Sequence, residues 1–136
     1  MDAARTMELE DLGQLAAVRR FVAAAADELG AQVDRGDLAL VIGELAANAL
    51  LHGGAPARIE VAAGDDGGLV LRVHDASSTL PEVVRGDPWD ATGHRGMVLV
   101  ETLAASWGAE VEPGGKQVWA HLAPAPVSPR SAARRG

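Results

Sequence analysis

Apolar residues in the first part of the chain recur at the three- and four-residue spacing of an α-helix. This spacing predicts one helix at about residues 10–29, where Gly30 follows as a stop signal. A second helical pattern covers residues 34–52, with Asp34 as a candidate N-cap and two glycines after its end. The domain is therefore predicted to begin with two helices.

After the second helix the period changes to two residues. ARIEVAAG and GLVLRVHD alternate apolar and polar residues across a GDDG turn, which predicts a β-hairpin with Ile59 and Val61 on one face. Between Asp75 and Gly96 the sequence loses this periodicity. A stretch of that length in a small domain indicates a binding loop, a lid or a disordered segment.

A third helix is predicted in RGMVLVETLAASWG, opening at Gly96 and packing through Met97, Val100, Leu103 and Ala104. Two more strands, AEVEP and KQVWAHL, follow and are joined at a glycine pair. The order α-α-β-β-loop-α-β-β predicts an α+β fold. We expect a two-layer α/β sandwich with the helices on one face of a mostly antiparallel sheet of four or five strands.

Length and composition limit what this fold can be. The 136 residues suffice for one domain, assigned to residues 1–122, and the stretch 123–136, rich in proline, alanine and arginine, is expected to be a disordered tail. The absence of cysteine excludes disulfides and thiolate chemistry. No apolar run is long enough to span a membrane and no signal-peptide pattern is present, so a cytoplasmic protein is expected.

Charge narrows the functional classes further. The net charge is −7, and three of the twelve basic residues lie in the tail, so the domain itself is strongly acidic. Direct binding of nucleic acid is therefore not expected. A phosphate bound by this domain would need help from a metal ion or from backbone amides.

Polar residues recur at every fourth position of the second helix, as Glu44, Asn48 and His52, next to its buried side. An amide oxygen is a suitable ligand for Mg²⁺, and a carboxylate one turn away can accept a proton from a reacting hydroxyl. Taken alone, however, the pattern favours a partly solvated helix flank with Asn48 bonded to nearby backbone.

Two further features allow more than one interpretation. Asp75, at the end of an apolar strand, is either a turn-former or an acceptor for a ligand amino group. In GHRGMVLV, Gly93 and Gly96 lie at the mouth of a helix, whose free N–H groups can hold an anion. Glycines before helices are common, and His94 is either a phosphate contact or an exposed loop residue.

The three features occur in one order along the chain: ELAANALLH on a helix, Asp75 at a strand end, and GHRG before a helix. This order resembles the N box, G1 box and G2 box of the GHKL superfamily of ATPases and kinases. Within it, the chain is most similar to the small anti-sigma-factor kinases and their actinobacterial relatives. The resemblance extends from about Arg19 to Leu122 and includes ASWG and GGKQVWAHL.

The resemblance implies an ATP site that contains Mg²⁺. Glu44 would orient or deprotonate the attacking hydroxyl, Asn48 would be the Mg²⁺ ligand, and Asp75 would accept from the adenine amino group. The positions implied at the phosphates are Gly93 and Gly96, the backbone of Met97 and Val98, and the additional side chains of His94 and Arg95.

The implied reaction is transfer of the ATP γ-phosphate to a serine or threonine of an anti-sigma-factor antagonist. The resemblance also implies binding of a sigma factor and formation of a homodimer. Ser77 stands where the family often has glycine, and GHRG is poorer in glycine than many G2 boxes. These departures leave two alternatives: a non-catalytic nucleotide-binding module that regulates a protein partner by lid closure, and a structural domain without nucleotide.

Overall fold

The computed structural model describes residues 4–77 and 94–125, and for residues 94–96 it describes the backbone alone. Within these residues the chain forms three α-helices and five β-strands. The helices are α1 (Leu15–Leu29), α2 (Arg35–Asn48) and α3 (His94–Leu103). The strands are β1 (Arg5–Leu9), β2 (Ala57–Ala63), β3 (Leu69–Asp75), β4 (Ser106–Glu112) and β5 (Gly115–Leu122).

Short capping motifs define the ends of α1 and α2. A 3₁₀ turn, Leu12–Gln14, leads into α1, and Asp11 caps this turn. The helix ends at Gly30, whose φ of 71° lies in the left-handed region. Asp34 caps α2 by accepting a hydrogen bond from the Asp37 amide at 2.9 Å. The two predicted helices and the predicted N-cap at Asp34 are therefore confirmed.

The five strands form one antiparallel sheet in the order β1-β2-β3-β5-β4. In β3 and β5 every second side chain is buried, and these side chains form one hydrophobic core with the inner sides of the helices. Ile59 and Val61 share this buried face, as predicted. The predicted α+β fold, with helices on an antiparallel sheet, is confirmed.

The opposite face of the sheet carries polar side chains. His74 lies between two carboxylates there, with Nδ1 2.9 Å from Glu112 and Nε2 3.1 Å from Glu60. These contacts link β2, β3 and β4 across the sheet. Among the described residues, these polar contacts therefore lie on the outer face of the sheet.

β1 was not predicted as a strand. It pairs with β2, with Arg5 opposite Val61 and Leu9 opposite Ala57. Met7 and Leu9 are its apolar residues on the core side. Two such positions give too little alternation to distinguish a strand from a loop by sequence.

The third helix differs from its prediction at both ends. It begins at His94 and not at Gly96, and it ends at Leu103, before ASWG. The Ala105 amide donates to the carbonyl of His121 at 2.8 Å, so the chain has already joined the sheet at this point. β4 consequently begins three residues earlier than the predicted strand.

Most of the predicted loop between Asp75 and Gly96, and most of the predicted tail, lie outside the described residues. The Ala125 amide donates to the Gln32 carbonyl at 2.7 Å, so contacts of the domain continue three residues past the predicted boundary. In the two described ranges, no helix combines the length and apolar character required to cross a membrane.

Candidate functional site

Helix α2 supplies the first two candidate residues, Glu44 and Asn48. Both are half-buried, on a helix that contacts α3 and also touches β3 and β5. Within residues 4–77 and 94–125, neither side chain makes a hydrogen bond or an ion pair. The ordinary interpretation, in which Asn48 bonds to nearby backbone, therefore has no support among the described residues.

The polar stripe does not extend to His52 as predicted. After Asn48 the α-helix changes into a π-helical turn, Ala49–Gly53, in which each turn contains more residues. His52 is exposed, whereas Glu44 and Asn48 are half-buried. The structure thus keeps Glu44 and Asn48 together and separates His52 from them.

Asp75 lies at the end of β3 with its side chain on the core side of the sheet. Its Oδ1 accepts two hydrogen bonds, from the Ser77 amide at 2.9 Å and from Lys116 Nζ at 3.0 Å. The Ser77 bond is the turn-forming contact expected of an aspartate in this position. Asp75 is therefore a turn-former, as one interpretation predicted, but its second oxygen has a different environment.

Oδ2 of Asp75 is buried and has no hydrogen bond in the described structure. Lys116 Nζ lies 2.8 Å from Oδ2 and 3.0 Å from Oδ1, so its ammonium group forms an ion pair with both oxygens of the carboxylate. The Asp75 carboxylate is therefore held in place by the protein itself.

Lys116 is a site residue that sequence reasoning missed. Asp75 and Lys116 are direct cross-strand neighbours on β3 and β5, and each side chain is only 1% exposed. They are the two buried charged residues of the described chain. Gly115 allows this arrangement, because a Cβ at that position would overlap the Asp75 carbonyl oxygen.

The start of α3 bears on the predicted phosphate contacts. Gly93 and the side chains of His94, Arg95 and Gly96 lie outside what the structure describes. Because α3 begins at His94, the amide of its fifth residue, Val98, points toward a carbonyl one turn back. The side chain of Met97 is buried in the core. The phosphate contacts predicted for Gly93, Gly96 and the backbone of Met97 and Val98 therefore stay a prediction.

The other described side chains do not form a metal site made of protein ligands alone. In the described part of the chain, no cluster of three or more histidine, aspartate or glutamate side chains could hold a metal ion. Mg²⁺ commonly needs only one or two protein ligands, because phosphates and water supply the rest. The unpaired amide of Asn48 fits this coordination.

A cleft of about 300 Å³ opens beside the end of β3, and its lining includes Asp75, Arg58 and Gly114. Arg58 and His74, which also lines it, lie on the outer side of the sheet. The cleft therefore lies at the edge of the sheet. Of the candidate residues it includes Asp75 but neither Glu44 nor Asn48, so it does not unite the predicted site.

The chain matches the family described as histidine kinase-like ATPase domain over residues 9–122, and it therefore belongs to that family. Domains of this family bind ATP, usually with Mg²⁺. The GHKL resemblance inferred from the motifs is thus confirmed at the level of the superfamily, and the anti-sigma-factor subtype stays a prediction.

Comparison with other proteins adds one structural likeness. No curated protein gives a significant match. Among solved structures, the chain is similar to the histidine kinase domain from the blue-light activated histidine kinase of Erythrobacter litoralis EL346, at 20% identity and a TM-score of 0.49. The likeness covers 81% of this chain and 61% of the other, so the chain spans about three fifths of that domain.

Proposed function

We propose that this protein binds ATP with Mg²⁺ and transfers the γ-phosphate to a serine or threonine of a protein partner. The observation that carries the proposal is the Asp75 carboxylate on the core side of the sheet at the end of β3, in a chain that belongs to the histidine kinase-like ATPase family. In the proposed complex an adenine amino group donates to this carboxylate. Family membership makes ATP the expected source of the amino group.

Asn48 and Glu44 would act at the other end of the nucleotide. Asn48 would hold Mg²⁺ through its amide oxygen, and the bound ion would neutralise phosphate charge near this acidic domain. Glu44 lies one helical turn before Asn48, and its half-buried carboxylate would orient the attacking hydroxyl and accept its proton. Transfer of this kind depends on positioning and charge more than on covalent chemistry.

The first residues of α3 would contact the phosphates. Amides at a helix start point outward and carry partial positive charge, which suits an anion. Gly93 and Gly96, with the backbone of Met97 and Val98, are therefore the proposed cradle, and His94 and Arg95 are the additional side-chain contacts.

The proposed acceptor is a serine or threonine of an anti-sigma-factor antagonist, and the proposed second partner is a sigma factor. Both partners, and the proposed homodimer, come from the resemblance of the motifs to anti-sigma-factor kinases. The strongly acidic domain is consistent with protein partners and not with nucleic acid.

Phosphate transfer to a candidate antagonist from [γ-³²P]ATP tests this function. Glu44→Ala should lower the transfer rate by at least about a hundredfold, because general-base catalysis is lost. Glu10→Ala removes an exposed carboxylate outside α2 and serves as the matched control. Equal rates in wild type and Glu44→Ala would reject the role assigned to Glu44.

Titration calorimetry with ADP tests the metal ligand separately. Asn48→Ala should weaken ADP binding when Mg²⁺ is present and leave binding in EDTA unchanged, because the substitution removes only a metal contact. Equal weakening in both conditions would mean that Asn48 does not act through the metal.

A second candidate function is a nucleotide-binding module without transfer activity. It is favoured by Ser77 in the G1 position and by the few glycines of GHRG. The Ser77 amide nevertheless bonds Asp75 at 2.9 Å, so the turn forms without glycine at this position. Binding of ADP without phosphate transfer to any antagonist tested would support this module over the kinase.

A further inference from the structure

We propose that the outer face of the sheet carries a binding site for a zwitterionic amino acid with an apolar side chain. The site lies on the side of the sheet away from the helices, and therefore away from Glu44 and Asn48 on α2. The proposal goes beyond the nucleotide function and does not depend on it.

A cavity of about 310 Å³ opens on this face over strands β3, β4 and β5. This volume lies at the lower end of the range for small-molecule sites, so it suits a ligand of few atoms. Six residues line the cavity: Val70, Arg72, Glu110, Gln117, Trp119 and His121. The lining thus combines two opposite charges, an amide, and both an aromatic and an aliphatic surface.

Trp119 forms the aromatic wall of the cavity. Its cross-strand neighbour on β4 is Gly108, where a Cβ would lie 2.7 Å from the indole ring. The ring therefore lies directly over the glycine backbone, and the half-buried side chain also lines the cavity. Together with Val70 on β3 it offers an apolar surface that a ligand side chain can cover.

The two charged side chains of the cavity leave a gap between them. Arg72 is half-buried and Glu110 is exposed, and in the part of the chain that the structure describes neither makes a hydrogen bond or an ion pair. Opposite charges that line one cavity without meeting can be joined by a ligand that carries both charges. The planar guanidinium of Arg72 suits a carboxylate, and the carboxylate of Glu110 suits an ammonium group.

The remaining polar groups favour the same ligand. His121 Nε2 lies 3.0 Å from Asp66, so its ring already has a partner in the protein. The Gln117 amide has no polar partner among residues 4–77 and 94–125, and it can both donate and accept. Glu110 would repel a simple anion and Arg72 a simple cation, whereas a zwitterion meets both charges favourably.

NMR titration with L-phenylalanine and two truncated analogues tests the site. 3-Phenylpropanoate lacks the ammonium group and phenethylamine lacks the carboxylate, while both keep the aromatic side chain. The chain has three tryptophans, and Trp119→Phe identifies the indole N–H signal of Trp119. In wild type this signal should shift with L-phenylalanine. Each analogue should bind about fivefold to tenfold more weakly, because one charged contact is lost.

Matched variants assign each charge. Arg72→Met should lower the affinity for L-phenylalanine to about that of phenethylamine, without weakening phenethylamine itself. Glu110→Gln should lower it to about that of 3-phenylpropanoate, again without weakening the analogue. Arg58→Met and Glu8→Gln are the controls, since both residues are exposed and lie outside the lining of this cavity, and they should bind like wild type.

The wild-type titration decides the proposal even where a variant does not fold. No shift of the Trp119 signal up to about 20 mM L-phenylalanine would overturn it, because so small a ligand is expected to bind in the millimolar range. Equal binding of L-phenylalanine and its two analogues would overturn it as well. So would equal binding of N-acetyl-phenylalaninamide, in which both charges are blocked, and that result would favour a protein segment as the occupant.

Discussion

Replacement of Lys116 by methionine should lower the free energy of unfolding by about 3–5 kcal/mol, the usual cost of leaving a buried charge without its partner. The substitution keeps an unbranched side chain of similar volume and removes the ammonium group. Asp75 would then be a carboxylate with 1% of its side chain exposed and no compensating charge. Since domains of this size are stable by roughly 7–20 kcal/mol, the loss is a large fraction of the total.

The magnitude follows from two opposing terms. At the 2.8 Å separation of Lys116 Nζ and Asp75 Oδ2, an effective dielectric constant of about 20 gives an attraction of about 6 kcal/mol. The cost of removing both groups from water cancels most of this attraction. The intact pair therefore contributes little net stability, although breaking it is expensive.

A second variant tests this reasoning directly. Replacement of both residues, Lys116→Met with Asp75→Leu, removes the two charges together. The double variant should unfold within about 1–2 kcal/mol of wild type, because an apolar pair avoids the desolvation cost. Stability in the double variant would thus exceed that of the single Lys116→Met variant.

Urea unfolding, followed by tryptophan fluorescence, measures both effects. Trp107 on β4 and Trp119 on β5 lie in the strands next to the pair and report on the same part of the sheet. Gln117→Met, on the outer face, should change stability by less than about 0.5 kcal/mol. A Lys116→Met cost below about 1 kcal/mol, or a double variant that loses the sum of the two single losses, would refute the argument.

Two further perturbations follow from close contacts. Gly115→Ala should cost at least about 2 kcal/mol in urea unfolding, because the new Cβ overlaps the Asp75 carbonyl, a backbone atom that cannot rotate away; wild-type stability would contradict this. Asp66→Asn should leave stability nearly unchanged at low pH and lower it near neutrality. The Gly68 amide, and to a smaller extent His121, hold the pKa of Asp66 below its ordinary value. The contribution of ionised Asp66 to stability is therefore present above the ordinary pKa, and it is lost as the pH falls through the lowered pKa. Unfolding of both proteins between pH 7 and pH 2 measures this, and a difference that grows on acidification would contradict it.

Local signals explain why α1, α2 and the central hairpin were predictable. Asp34 caps a helix by accepting from an amide three residues on, and Gly30 ends one through a left-handed φ of 71°. Both effects depend on residues within a few positions of each other. The alternation of β2 and β3 is equally local, because it needs only one buried face.

Tertiary contacts decided the features that were not predicted. The end of α3 depends on Ala105, whose amide donates to His121 on a different element of the chain. The prediction that Glu44, Asn48 and His52 form one stripe required a uniform helical period. The π-helical turn at Ala49–Gly53 interrupts that period. The sequence at these positions predicts neither the Ala105 contact nor the change of helical period.

The Asp75–Lys116 pair combines both situations. The sequence indicates that each residue lies at an inward position of its strand, but it does not indicate which residues of the two strands are opposite each other. The buried positions of β5 alternate as Val118, Ala120 and Leu122, and the same alternation continued backward places Lys116 inward. In β3 the inward series ends at Asp75 in the same way. Each strand therefore ends with an inward charge of opposite sign, and either charge alone would require a partner. The pairing of β3 with β5, two strands separated along the chain by α3 and β4, supplies the missing information. An inward charge at the end of an apolar strand is thus a reason to search the other strands for its partner before assigning it to a ligand alone.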